Sequence, residues 1–141
     1  MKVEVFNLQN KYWVDIKKLK KLLKNLMDYY TCKDKELTLI LINNRTIKKL
    51  NKKFLKRNYP TDVLSFPLNE KTLNGSYYLG DIAISVPQAF KQCFRLSHGL
   101  ERELELLTIH GFLHLLGFDH EKDKGEMRAE EEKLKRKFLI D

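Results

Sequence analysis

Polar and apolar positions change rhythm repeatedly along this chain, and each change predicts an element. Residues 2–8 alternate enough for a short strand. Ile16, Leu19, Leu22, Leu23, Leu26, Met27 and Tyr30 recur at helical spacing, with Asp15 placed to cap a helix over about 16–30. Glu36 to Ile42 is a leucine-rich and β-branched strand. Asn44 is the expected cap of a second helix, about 45–57. Thr61 to Leu68 reads as a strand whose Pro67 places its end near a sheet edge, and Tyr77 to Val86 as another. Pro87 suits the first turn of a helix through about Arg95. Ser97 is the expected cap of a long helix, about 98–116, closed by Gly117, and a charged helix over about 124–138 follows. Strands interspersed with helices predict a mixed α/β (α+β) layer: a small sheet of about four strands packed with helices. No repeat, low-complexity tract or linker interrupts the pattern, so residues 1–141 are expected to form a single domain.

Charge sharpens this picture. The formal net charge is +8, and it is unevenly placed. Residues 1–70 hold 16 Lys and Arg against 7 Asp and Glu, whereas residues 71–141 hold 11 against 12. A basic half is compatible with simple solubility or with a polyanionic partner, of which nucleic acid is the leading candidate. Met1-Lys2-Val3-Glu4-Val5 lacks signal-peptide architecture. The run Leu39-Ile40-Leu41-Ile42 is far too short to span a bilayer. Cys32 and Cys93 form no C-x-x-C motif and are expected to be reduced and buried. These features together predict a cytoplasmic protein without a membrane partner.

The chemistry gathers in one stretch. His110-Gly-Phe-Leu-His114-Leu-Leu-Gly117-Phe-Asp119-His120 holds three of the four histidines. Residues four apart on a helix lie about 40° apart around its axis, so His110 and His114 share a face. Gly117 permits the left-handed turn that ends the helix and lets His120 approach the same point. Leu104 to Phe118 is apolar nearly all round, which predicts a central buried helix. Two imidazoles without partners there would cost free energy, and a shared metal ion removes that cost. Three neutral imidazoles suit one Zn2+ per chain and leave a fourth position for water, the arrangement of a catalytic site. The spacing is similar to the H-E-x-x-H-x-x-G-x-x-H motif of metzincin proteases, but Gly111 stands where their glutamate base would be. A base would then be metal hydroxide, or a carboxylate such as Asp119 or Asp62.

This histidine run resembles the signature of the YbeY family. Pro60-Thr61-Asp62-Val63-Leu64-Ser65-Phe66-Pro67 and Leu79-Gly80-Asp81-Ile82-Ala83-Ile84-Ser85 resemble two further hallmarks of that family, and Glu101-Arg-Glu-Leu-Glu-Leu-Leu leads into the histidines in the same way. The resemblance implies a small α/β fold with the histidines on a central helix. It also implies zinc and single-strand-specific endoribonuclease activity. The expected work is on the 3′ end of small-subunit ribosomal RNA and in ribosome quality control, with the small ribosomal subunit as partner. Family members commonly carry an arginine five residues before Pro-Thr-Asp. Leu55 occupies that position here, and Arg57, with Lys56 beside it, is the expected replacement.

Phosphodiester cleavage builds negative charge on phosphate oxygens, which a metal and a nearby cation stabilise. Arg45, Lys48, Lys49, Lys52, Lys53 and Lys56 fall within roughly 140° of one helical face. They are the expected RNA contacts, with Ile47, Leu50 and Phe54 opposite them toward the core; a plain solvated face is the alternative. Tyr59, Tyr77 and Tyr78 are candidates for base stacking, against ordinary strand packing. Asp62 can orient a ligand or base or merely cap a turn, and Asp81 is ambiguous in the same way. His98 is expected at the surface without a role, and Glu103 either behind the histidines or in solvent. Three functions stand side by side: a zinc-dependent endoribonuclease, a metal-dependent hydrolase of another substrate such as a metzincin-like protease, and a ribosome-associated factor whose zinc is structural.

Overall fold

A computed structural model describes residues 2–32 and 34–139. Their elements run β1 (Lys2–Asn7), α1 (Ile16–Tyr29), β2 (Lys35–Ile42), α2 (Asn44–Leu55), β3 (Val63–Lys71), β4 (Tyr77–Ser85), α3 (Val86–Cys93), α4 (Leu100–Leu115) and α5 (Glu126–Phe138). The expected mixed α/β architecture with four strands is what the chain forms. The sheet order is β1-β2-β4-β3, with β1, β2 and β4 parallel and β3 antiparallel to β4.

The period of two in the strands sorts side chains to the two faces of the sheet. Leu37, Leu39 and Leu41 of β2, with Ile82 and Ile84 of β4, point into the main core, where Leu22, Leu23 and Leu26 of α1 and Leu104, Phe112 and Leu113 of α4 meet them. Ile42, Leu64 and Ala83 point the other way, onto Ile47 of α2. Burying each such large apolar side chain is worth about 1.5–3 kcal/mol, so the main core governs stability. The helix carrying the histidines and the helix carrying the basic stripe therefore lie on opposite faces of the sheet. Pro67 sits on the edge strand β3, where its missing N–H costs no ladder bond to a further strand.

The caps refine the expected boundaries. Asp15 accepts from the Lys18 N–H at 3.1 Å, as its position predicts. Asn43, not Asn44, caps α2, accepting from the Thr46 N–H at 2.8 Å; Asn44 is already helical. Gly99, not Ser97, precedes α4, because Ser97 has a left-handed backbone (φ 58°) that takes it out of the cap position. The helix after Pro87 starts at Val86 under a Ser85 cap and ends at Cys93. Cys32 and Cys93 are free and buried, as expected. Phe54 departs from expectation. It is 54% exposed, resting against Phe66 of the edge strand rather than entering the core, because β3 leaves that end of α2 uncovered. Among the described residues, no helix is long and apolar enough to cross a membrane.

Candidate metal centre

Helix α4 is buried along most of its length between the sheet and helices α1, α3 and α5. Gly111 is the point of closest approach. A Cβ there would stand 2.7 Å from Ile82 Cγ2 and 3.2 Å from Ser65 Oγ. Ser65 also donates to the Gly111 carbonyl at 3.1 Å, tying the helix to the edge strand. The position after His110 is thus spent on packing, and a glutamate there would have no room.

The helix ends in a Schellman turn. Phe118 N–H donates to the Leu113 carbonyl and Gly117 N–H to the His114 carbonyl, both at 3.0 Å, with Gly117 at φ 101°. This reversal returns the chain across the last turn of α4 and brings His120 back over His110 and His114. The ring centroid of His120 lies 5.4 Å from that of His110 and 5.6 Å from that of His114. The His110 and His114 rings are 4.7 Å apart. One ring nitrogen from each histidine lies within 4.8 Å of the others, so the three can hold one metal ion. The Nε2 atoms of His110 and His114 are 3.2 Å apart. A tetrahedral ion with metal–nitrogen bonds of about 2.0–2.1 Å needs ligands about 3.3 Å apart, so this pair fits without movement of the helix. Burial first, and then the neighbouring His110, holds the His114 ring below its usual pKa, which favours the neutral, ligating form. The imidazoles are half-buried or, for His120, exposed, so the expected buried helix carries its histidines at an open end.

That end opens into a groove lined by all three histidines together with Arg57, Asp62, Ser65 and Asp119. Arg57 reaches it because α2 stops at Leu55. Lys56 turns left-handed (φ 57°), and the Arg57 N–H donates to the Asn51 carbonyl at 3.2 Å. Buried Asn51 also donates from Nδ2 to the Tyr59 carbonyl at 2.9 Å, pinning the loop that follows. Lys56 therefore lies beyond the helix on which it was expected.

Asp62 takes the turn role weighed for it, and its second carboxylate oxygen meets a side-chain amide. Its Oδ1 accepts from the Val63 N–H at 2.8 Å and from the Thr61 hydroxyl at 3.3 Å, which is a turn function. Its Oδ2 lies 3.1 Å from the Gln92 amide nitrogen, in the amide orientation that satisfies the network. The same nitrogen is 3.1 Å from Glu103 Oε2, and His98 Nε2 is 2.6 Å from Glu103 Oε1. Glu103 is only 3% exposed, so it is neither a solvent charge nor a partner of His110, and His98 has a defined partner rather than none. Asp81 is bound by the Tyr78 hydroxyl, which also meets Thr38, so both are committed to the sheet. Tyr77 donates to the Asn69 carbonyl. Tyr59 is exposed.

Arg45, Lys48, Lys49, Lys52 and Lys53 are all exposed on α2, and Lys56 just beyond it, but none lines the histidine groove. Arg57 and Asp62 are brought to the histidines; the stripe is not. One contact was invisible in the sequence: His110 Nδ1 lies 3.1 Å from Glu131 Oε1 of α5. Glu130, Glu131 and Glu132 are adjacent and chemically alike, so nothing in the pattern singles out the one that turns toward the histidines.

Fold and site together define a class: a small α/β protein with three imidazoles that can hold one metal ion in an open groove beside an arginine and an aspartate. The family described as endoribonuclease YbeY matches residues 4–139. The chain is 42% identical over 135 residues to endoribonuclease YbeY of Nautilia profundicola, covering 96% of this chain and 91% of that one. It is 35% identical over 131 residues to the protein of the same name from Syntrophus aciditrophicus, covering 92% and 82%. The fold is similar to a protein from Thermotoga maritima solved in solution, with a TM-score of 0.61 and 29% identity, covering 94% of this chain and 85% of that one. The chain belongs to the endoribonuclease YbeY family.

Proposed function

We propose that this protein is a zinc-dependent, single-strand-specific endoribonuclease acting on ribosomal RNA at the 3′ end of the small-subunit molecule and in ribosome quality control. Residues 1–141 would serve as one hydrolase domain, in the cytoplasm, with the small ribosomal subunit as partner. Family membership and relatives named as endoribonucleases support the activity.

The observation that carries the reading is the convergence of His110, His114 and His120 at the open end of α4. They would hold one Zn2+, with nitrogen donors of the kind zinc prefers. When bound, a divalent ion of this kind lowers the pKa of water and offsets charge on phosphate oxygens. Arg57, in the same groove, is the chain's own cation for a phosphate whose charge rises during cleavage. Asp62, held through Val63, Thr61 and Gln92, would orient a water or a ribose hydroxyl. Arg45, Lys48, Lys49, Lys52, Lys53 and Lys56 would track phosphates away from the reaction centre, adding affinity rather than chemistry. The close packing of Gly111 on Ile82 weighs against a metzincin-like protease, because the place of that mechanism's base is filled by the sheet.

The test is cleavage of single-stranded and duplex ribosomal RNA fragments and of casein, with and without chelator, by the wild type and His114→Ala. Chelator-sensitive cutting of single strands alone, lost in His114→Ala with the fold retained, is the expected result. Casein digestion, or RNA binding without cutting, would overturn it.

A further inference from the structure

Helix α5 has no part in the proposed chemistry, yet it is held firmly against α4. Met127 and Leu134 are fully buried beneath it. Its start is fixed by Asp123, whose carboxylate accepts from the N–H groups of Gly125 and Met127, both at 2.9 Å. Glu130 accepts from the hydroxyl of Tyr30 at the end of α1. These anchors set the rotation of α5 and turn Glu131, the next residue, toward the histidines. Its side chain is 28% exposed, and that of His110 is 26% exposed, so the contact is partly withdrawn from water.

The two nitrogens of His110 thus have different neighbours. Nδ1 faces Glu131 Oε1 at 3.1 Å, and Nε2 faces His114 Nε2 at 3.2 Å. A carboxylate accepts and cannot donate, so the hydrogen bond requires the proton on Nδ1. A neutral ring then presents its lone pair on Nε2, the atom turned toward the other imidazoles. The carboxylate also makes that lone pair more basic and stops the ring from rotating.

The geometry points to Glu131 as a positioning residue for the metal centre: its carboxylate locks His110 in the Nδ1–H tautomer, aimed and ready to ligate through Nε2. This rests on the histidine triad being the metal site proposed above. Among the described residues, neither His114 nor His120 has a carboxylate within hydrogen-bond distance, so the effect is expected to fall on His110 alone.

Two measurements test this. Nitrogen-15 correlation spectra of the metal-free protein read the tautomer directly. His110 is expected in the Nδ1–H form in the wild type and as a mixture in Glu131→Ala. Competition for Zn2+ against a chromophoric chelator reads the affinity. Glu131→Ala is expected to weaken Zn2+ binding about 10–100-fold, with Glu131→Gln between it and the wild type, because the amide oxygen still accepts but carries no charge. His114→Ala should lose the site altogether. Wild-type affinity in both Glu131 variants, while His114→Ala fails to bind, would overturn the role of Glu131 and leave the metal site standing. A wild type that binds no Zn2+ would overturn both. If Glu131→Ala lowers the melting temperature of the metal-free protein, the isosteric Glu131→Gln decides: its expected loss of affinity is upheld or refuted without the packing change.

Discussion

Gly111 lies so close to Ile82 that a single added carbon would sit 2.7 Å from the isoleucine Cγ2. Ile82 is fully buried on β4, and its methyl stands on a stiff, β-branched carbon that cannot swing aside. The contact explains why the residue after the first histidine is glycine, and it sets how deeply the end of α4 sinks onto the sheet.

Gly111→Ala should therefore destabilise the protein. Helix propensity alone would favour alanine by about 1 kcal/mol. Overpacking at a buried site costs about 1–3 kcal/mol and opposes it. A net loss is expected, read as a lower urea midpoint with an unchanged m-value. A gain in stability would mean that α4 sits further from the sheet.

Arg57→Ala should leave Zn2+ binding intact and slow RNA cleavage by about 10²–10³, the usual scale for removing one charge-stabilising donor. Arg57→Lys should recover part of the rate, since a point charge replaces a fork. Equal loss of metal and activity in Arg57→Ala would place the arginine in the fold rather than the chemistry.

The metal-free protein should lose stability in mildly acidic solution. Burial holds the folded His114 ring below its ordinary value of 6.5, so the unfolded chain binds this proton more readily than the native one. The stabilisation is complete above about pH 6.5 and is lost as pH falls from there through the depressed native value. Urea midpoints measured between neutral pH and pH 5 should show a decline that is shallower in His114→Gln. Identical slopes in the two proteins would refute the assignment.

His98→Ala should cost about 1–3 kcal/mol, because it strips the buried Glu103 carboxylate of its closest partner. His98→Ala combined with Glu103→Leu should recover much of that loss, since no buried charge is left without a partner. Chemical denaturation of the two single variants and the double variant makes the comparison.

The α2 stripe should act through salt. Replacing Lys48, Lys49 and Lys52 by alanine should weaken RNA binding and flatten its dependence on salt concentration by about 0.7 in log–log slope for each phosphate no longer neutralised. The rate of cleavage at saturating RNA should be unchanged, since none of the three lines the groove. An unaltered slope would make the stripe an ordinary solvated face.

Local order in this chain follows from local pattern. The helical spacing from Ile16 to Met27, the alternation in β1, the Asp15 cap and the reversal at Gly117 are all legible along the backbone, because each depends on neighbours within a few residues. The same holds for the meeting of His110 and His114, which α-helical geometry dictates once the helix exists. Other features depend on contacts between distant segments. Packing chose Glu131 from three adjacent glutamates, buried Glu103 under His98 and Gln92, and set α2 on the far side of the sheet from the histidines. Charged residues in a row look equivalent to any rule of periodicity. Only the docking of α5 against α4 and α1 makes one glutamate face an imidazole and the one before it a tyrosine hydroxyl.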